Sequence, residues 1–134
     1  MIIYQFVLTH FLKCNEKFDL VIIDAPVCIF GKKNQYCEHF EILPLITRVL
    51  KEESIVILNV KTRPYNYPPQ IDWQKRRNQF YKLEDCSNIK TSFIKPFYEK
   101  LLLSYGYLTK HSFLNSRLQE TNIQALTMII KKNE

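Results

Sequence analysis

Asp24 is the first residue of this chain placed to do chemistry. It closes the run Phe18-Asp19-Leu20-Val21-Ile22-Ile23 and is followed by Ala25 and Pro26. A continuous apolar run containing Val21 and two isoleucines reads as a strand buried on both faces of a parallel sheet. An acid at the carboxyl end of such a strand stands where open α/β sheets bind ligands. The alternative is an acid that bonds the amides of its own turn. Pro26 has no amide hydrogen, so the ladder stops there, and it is expected at the edge of the same site. His39 titrates near neutral pH and could act as a base, although packing or capping a helix is the favoured reading for it. Asn59 and Lys61 leave a second apolar run, Ser54 to Val60, on the same side of the sheet. They could contact a substrate or simply solvate the strand end. Tyr65, in the loop that follows, is placed with them as a substrate contact.

Residues 73–81 mix Lys75, Arg76 and Arg77 with Trp73, Phe80 and Tyr81. One reading is phosphate contact with base stacking. The favoured reading puts the aromatics in the core and the charges in water, because a helix places residues 73, 77 and 80 on one face and 75 and 76 off it. The net charge of +6 fits a basic soluble protein or attraction to a polyanion such as nucleic acid. Cys28, Cys37 and His39 lack the paired spacing of zinc sites, so no metal is expected. The four cysteines contain no C-x-x-C pair and read as reduced, mostly buried thiols of a cytoplasmic protein. The first residues carry neither a basic start nor a small-residue cleavage site, so no signal peptide is expected. No apolar segment reaches the ~18 residues needed to span a membrane. With 134 residues, 46% of them hydrophobic, residues 1–134 read as a single domain. Two glycines in the whole chain exclude a G-x-G-x-x-G or P-loop cradle, and no G-x-S-x-G elbow is present.

These residues need elements to hold them. Ile3, Phe6, Val7, His10 and Phe11 recur at helical spacing and predict a helix over 2–13. A strand over 18–24 follows, then a loop over 26–36 with a basic turn at Gly31-Lys32-Lys33-Asn34. Ile42, Leu43, Ile46, Val49 and Leu50 share a helical face, predicting a helix over 38–51 with Glu38 and Glu41 near its positive end and Arg48 and Lys51 near its negative end. Residues 54–60 form the second strand, completing a right-handed βαβ unit with parallel strands. A long loop over 61–72 leads to the helix over 73–81, capped by Asp72. Phe93, Ile94, Phe97, Leu101 and Leu102 mark another helix, with Pro96 in its first turn and Gly106 just past its end. Strands over 107–114 and 123–131 are joined by too few residues for a crossover helix, so they pair antiparallel.

This order resembles the carboxyl half of a class I S-adenosylmethionine (SAM)-dependent methyltransferase. Phe18-Asp19-Leu20-Val21-Ile22-Ile23-Asp24 is similar to the family's FDLVxxD fourth strand, and Ser104-Tyr105-Gly106-Tyr107 to its entry to the sixth. The resemblance covers nearly the whole chain from Phe18. It implies a partial Rossmann-like three-layer α/β fold: two parallel strands plus a C-terminal antiparallel pair, with helices on both faces and the last strand inserted beside the edge. It also implies that Asp24, beside methyl donor and acceptor, orients or deprotonates the nucleophile. Asp24-Ala25-Pro26-Val27 departs from the N/D-P-P-Y/F pattern of amino methyltransferases. The first strand, its Gly-rich turn and the ribose-binding acid are missing, and the seventeen residues before Phe18 leave no room for them. The chain thus reads as a fragment, a split domain or a degenerate relative. SAM is expected only if the missing half is supplied, and no cofactor-binding residue is carried over. A non-catalytic interaction module is the alternative: the exposed edge of strand 18–24, or the basic surface, would take a partner chain or a second copy.

Overall fold

The structure, a computed structural model, describes residues 13–24, 29–30, 36–63, 71–117 and 120–134. The predicted helix over 2–13 lies almost wholly outside them, as does most of the loop over 26–36. The elements run β1 (Phe18–Ile23), β2 (Ile29–Phe30), β3 (Tyr36–Cys37), α1 (Leu43–Ile46), β4 (Leu50–Lys61), α2 (Ile71–Tyr81), α3 (Thr91–Ser104), β5 (Tyr107–Arg117) and β6 (Glu120–Lys132). Four strands make one sheet in the order β1-β4-β6-β5. β1 pairs parallel with β4, β6 pairs antiparallel with both β4 and β5, and the last strand in sequence is therefore inserted beside the edge. This is the mixed α/β arrangement expected from the sequence.

Alternation along the strands decides which face is closed. Val56, Leu58 and Val60 of β4 and Leu126, Met128 and Ile130 of β6 are buried, and they pack with Ile94, Tyr98 and Leu102 of α3 and Trp73 and Tyr81 of α2. Each fully buried aliphatic side chain contributes roughly 1.5–3 kcal/mol. β1 departs from the expectation of burial on both faces: Val21 and Ile23 are buried, while Phe18, Leu20 and Ile22 are 38%, 47% and 62% exposed. β1 is the edge strand of the sheet among the described residues, and the exposure of these side chains means that no second layer of described residues covers that face.

The helix predicted over 38–51 is a correction. Only Leu43–Ile46 is helical, with Pro44 in its first turn, and the chain is already extended from Leu50. Glu38 and Glu41 consequently do not serve a long helix dipole; both turn to arginines of α2. α2 starts at Ile71, which puts Asp72 in its first turn rather than before it. Pro96 lies inside α3, beyond the first turn. Gly106 stands where predicted, at φ +93, a left-handed conformation that costs glycine little. Its amide donates to the Leu103 carbonyl and its carbonyl accepts from Asn133, which ties the end of α3 to the end of β6. The antiparallel pair is longer than predicted, its strands extending to Arg117 and from Glu120. Cys14, Cys37 and Cys86 are free thiols.

Candidate functional site

Parallel register fixes the first feature. Ile23 of β1 lies beside Leu58 of β4, so the next residues, Asp24 and Asn59, meet at the carboxyl end of the pair. Asn59 Nδ2 donates to Asp24 Oδ1. Ile23 and Leu58 point into the core, so by alternation both polar side chains point to the open face. Asp24 is exposed and Asn59 half-buried. Asn59 thereby fixes the orientation of the carboxylate while leaving it accessible, an arrangement that can position or accept a proton from a bound group.

A second polar group is closed. Glu38 and His39 sit in the turn before α1, and both are buried. Glu38 holds a positive φ of 46, which costs a non-glycine residue about 1 kcal/mol or more. That backbone aims its carboxylate inward, where Oε2 accepts from Trp73 Nε1 at 2.9 Å and Arg77 Nη1 at 2.7 Å. Arg77 Nη2 donates to the Lys61 carbonyl at 2.9 Å and the Cys86 carbonyl at 3.3 Å. One guanidinium thus joins the turn before α1, the end of β4 and the link after α2. Burial opposes its charge, and Glu38, Tyr81 and Cys86 together more than offset that, so Arg77 stays charged. Lys61 is buried as well, with Nζ 5.9 Å from the centroid of the Trp73 ring.

His39 Nε2 lies 2.5 Å from Tyr98 Oη, which lies 2.8 Å from Tyr81 Oη. Burial lowers the His39 pKa to about 3, the positive charges of Arg77 and Lys61 push the same way, and only the backbone of Asn59 opposes them. The imidazole is therefore neutral at physiological pH. Burial also raises the Tyr98 and Tyr81 phenols above their usual range. Phe40 and Phe80 pack edge-on to the imidazole, at 5.3 and 5.9 Å between centroids. These contacts give His39 the packing role.

Of the residues singled out from sequence, the structure brings Asp24 and Asn59 together and places Lys61 and His39 in the closed group. Pro26 and Tyr65 lie outside the described residues. In the basic helix, Arg77 is buried against Glu38 and Arg76 is ion-paired with Glu41, so the expectation that its charges are solvated holds for exposed Lys75 and is corrected for Arg77. Sequence reasoning missed the Glu38–Arg77 pair and the His39–Tyr98–Tyr81 chain; the partners are 39, 59 and 17 positions apart, beyond any local signal. Among the described residues, no group of three or more His, Cys, Asp or Glu could hold a metal ion. No described helix is long and apolar enough to cross a membrane.

No protein-family model and no curated protein matches the chain. Solved structures that it is similar to include a pericyclic reaction enzyme, at 13% identity and TM-score 0.44 over 88% of this chain and 27% of the other. LepI in complex with SAM is similar at 12% identity and TM-score 0.44, over the same shares of the two chains, 88% and 27%. A protein from Nostoc punctiforme assigned as an O-methyltransferase is similar at 21% identity and TM-score 0.41, over 87% of this chain and 33% of the other. The chain thus spans 27–33% of the length of these proteins, and the likeness assigns no residue a role.

Proposed function

We propose that the chain is the carboxyl half of a methyltransferase-like domain, in which Asp24, held by Asn59, orients the acceptor for methyl transfer. The observation that carries this reading is the sheet order β1-β4-β6-β5 with Asp24 and Asn59 at the shared carboxyl end of its parallel pair. An acid in that position can align an acceptor hydroxyl or amine and take its proton. The described residues do not fit a SAM cradle. Gly106 closes a helix and does not open one after a strand. No step is therefore assigned to the cofactor here; its binding residues would come from polypeptide pairing with the edge of β1 that is unpaired among the described residues. Lys61 helps close the end of β4 and His39 packs behind it, which leaves Asp24 as the residue expected to face the acceptor.

Isothermal titration with SAM tests this on two samples, the present chain and a longer natural form. Binding by the longer form and none by the present chain is the expected pattern. Binding by neither rejects the enzyme reading.

The second reading, a non-catalytic interaction module, is favoured by the open face. Its register aligns Leu20 with Ile55 and Ile129, and Ile22 with Ile57. An apolar surface of this kind, next to a strand edge that is unpaired among the described residues, favours a partner chain or a second copy. Contact with nucleic acid rests on less, since Arg76 and Arg77 of the basic helix are both ion-paired.

A further inference from the structure

A cleft of about 530 Å³ opens between α2 and α3, and none of Asp24, Asn59, Lys61 or His39 lines it. Its volume suits a small molecule. A partner helix would instead need an extended face burying ~800 Å² on each side. Three phenylalanines line it. The Phe93 and Phe97 rings stack at 5.4 Å and 25°, and Phe80 meets Phe97 edge-on at 5.4 Å and 62°. Rings so arranged offer both stacking and edge contacts to a further aromatic group. Pro96 and Ser92 also line the cleft. Proline has no amide hydrogen, so the Ser92 carbonyl cannot receive the usual helical bond from residue 96.

Two lysines, Lys82 and Lys100, stand in the lining, and both side chains belong to exposed residues. Neither forms an ion pair among the described residues, whereas Lys51, Lys131, Arg76 and Arg77 all do. Lys82 also follows the last residue of α2 at φ 56, a conformation that favours glycine or asparagine. A residue chosen for that backbone alone would not be lysine. Its side chain is a reason to tolerate the strain.

We infer that the cleft between α2 and α3 binds an aryl-alkanoate, the aromatic body among Phe80, Phe93 and Phe97 and the carboxylate between Lys82 and Lys100. The inference stands apart from the proposed methyltransferase reading, because it concerns a different part of the molecule. An NMR titration of the ¹⁵N-labelled chain with 4-phenylbutyrate, and in parallel with its uncharged amide, tests it. The expected result is saturable shifts centred on the cleft, with the amide roughly five- to tenfold weaker, the scale of two exposed charge pairs. Lys82→Gly combined with Lys100→Gln removes both charges, and the glycine suits the left-handed backbone. That variant should lose the preference for the carboxylate and keep its affinity for the amide. Equal binding of acid and amide, shifts centred elsewhere, or no saturable shift with the acid each overturns the inference.

Discussion

Asn59 and Lys61 stand two residues apart on β4 and end in opposite settings. Asn59 reaches the open face and donates to exposed Asp24. Lys61 is 5% exposed, and its carbonyl is clamped by the wholly buried Arg77. The two positions teach what burial does to polar chemistry. A charge shut away from water must be matched by partners in fixed geometry, and once matched it is part of the framework. Glu38, Arg77 and Trp73 are such a set, and they hold α2 to the end of the sheet. An exposed acid oriented by a neutral amide keeps access to a ligand, so it can take part in a reaction without the fold depending on it.

The sharpest way to break that contrast is to remove Arg77. Arg77→Met leaves Glu38 buried without its guanidinium, and the expected loss is about 3–5 kcal/mol in urea unfolding. Adding Glu38→Leu should recover part of it, since an apolar pair strands no charge. A loss below about 1 kcal/mol would place the pair with ordinary surface bridges.

His39 gives the next largest effect, through pH. The unfolded chain binds its proton near 6.5 and the folded chain only near 3. Protonation therefore favours unfolding. The contribution of neutral His39 is complete above 6.5 and declines as pH falls toward 3, by up to about 1.4 kcal/mol per pH unit. Urea midpoints taken between about pH 7 and about pH 4.5 should show this slope, and His39→Leu should flatten it. An unchanged slope in that variant assigns the acid sensitivity to other groups.

Tyr81→Phe removes one buried hydrogen bond and leaves Tyr98 its bond to His39, so about 1 kcal/mol is expected by the same unfolding measurement. The smallest effect belongs to the open face. Ile22 is 62% exposed, and Ile22→Thr should change monomer stability by about 0.5 kcal/mol or less. Gel filtration over a range of concentrations should show reduced self-association in that variant. A large stability loss would mean that the side chain is covered.

The strands and the two longer helices were legible because their apolar residues repeat at clear periods. The runs at Phe18–Ile23 and Ser54–Val60 and the stripe from Phe93 to Leu102 fall inside β1, β4 and α3. The position of Asp24 at the end of β1 was legible for the same reason: a strand ending on an acid needs no distant information. The helix over 38–51 was misread because Ile42, Leu43, Ile46, Val49 and Leu50 fit a helical face, yet they are buried from a turn, a short helix and the start of β4. Tertiary packing set that outcome, and periodicity cannot see it. The role of Arg77 stayed hidden because a cation on a helix is solvated unless a buried acid meets it, and Glu38 comes from a remote turn.

The central claim is that the exposed pair carries the chemistry. Its most direct test is methyl transfer by Asp24→Asn in a longer form of the chain that binds SAM, with the melting temperature measured on the same sample. The substitution keeps the shape of the side chain and removes its charge. Turnover is expected to fall about 10²-fold or more, with the melting temperature unchanged. Full activity with a lowered melting temperature would contradict the account and make Asp24 a turn-capping residue.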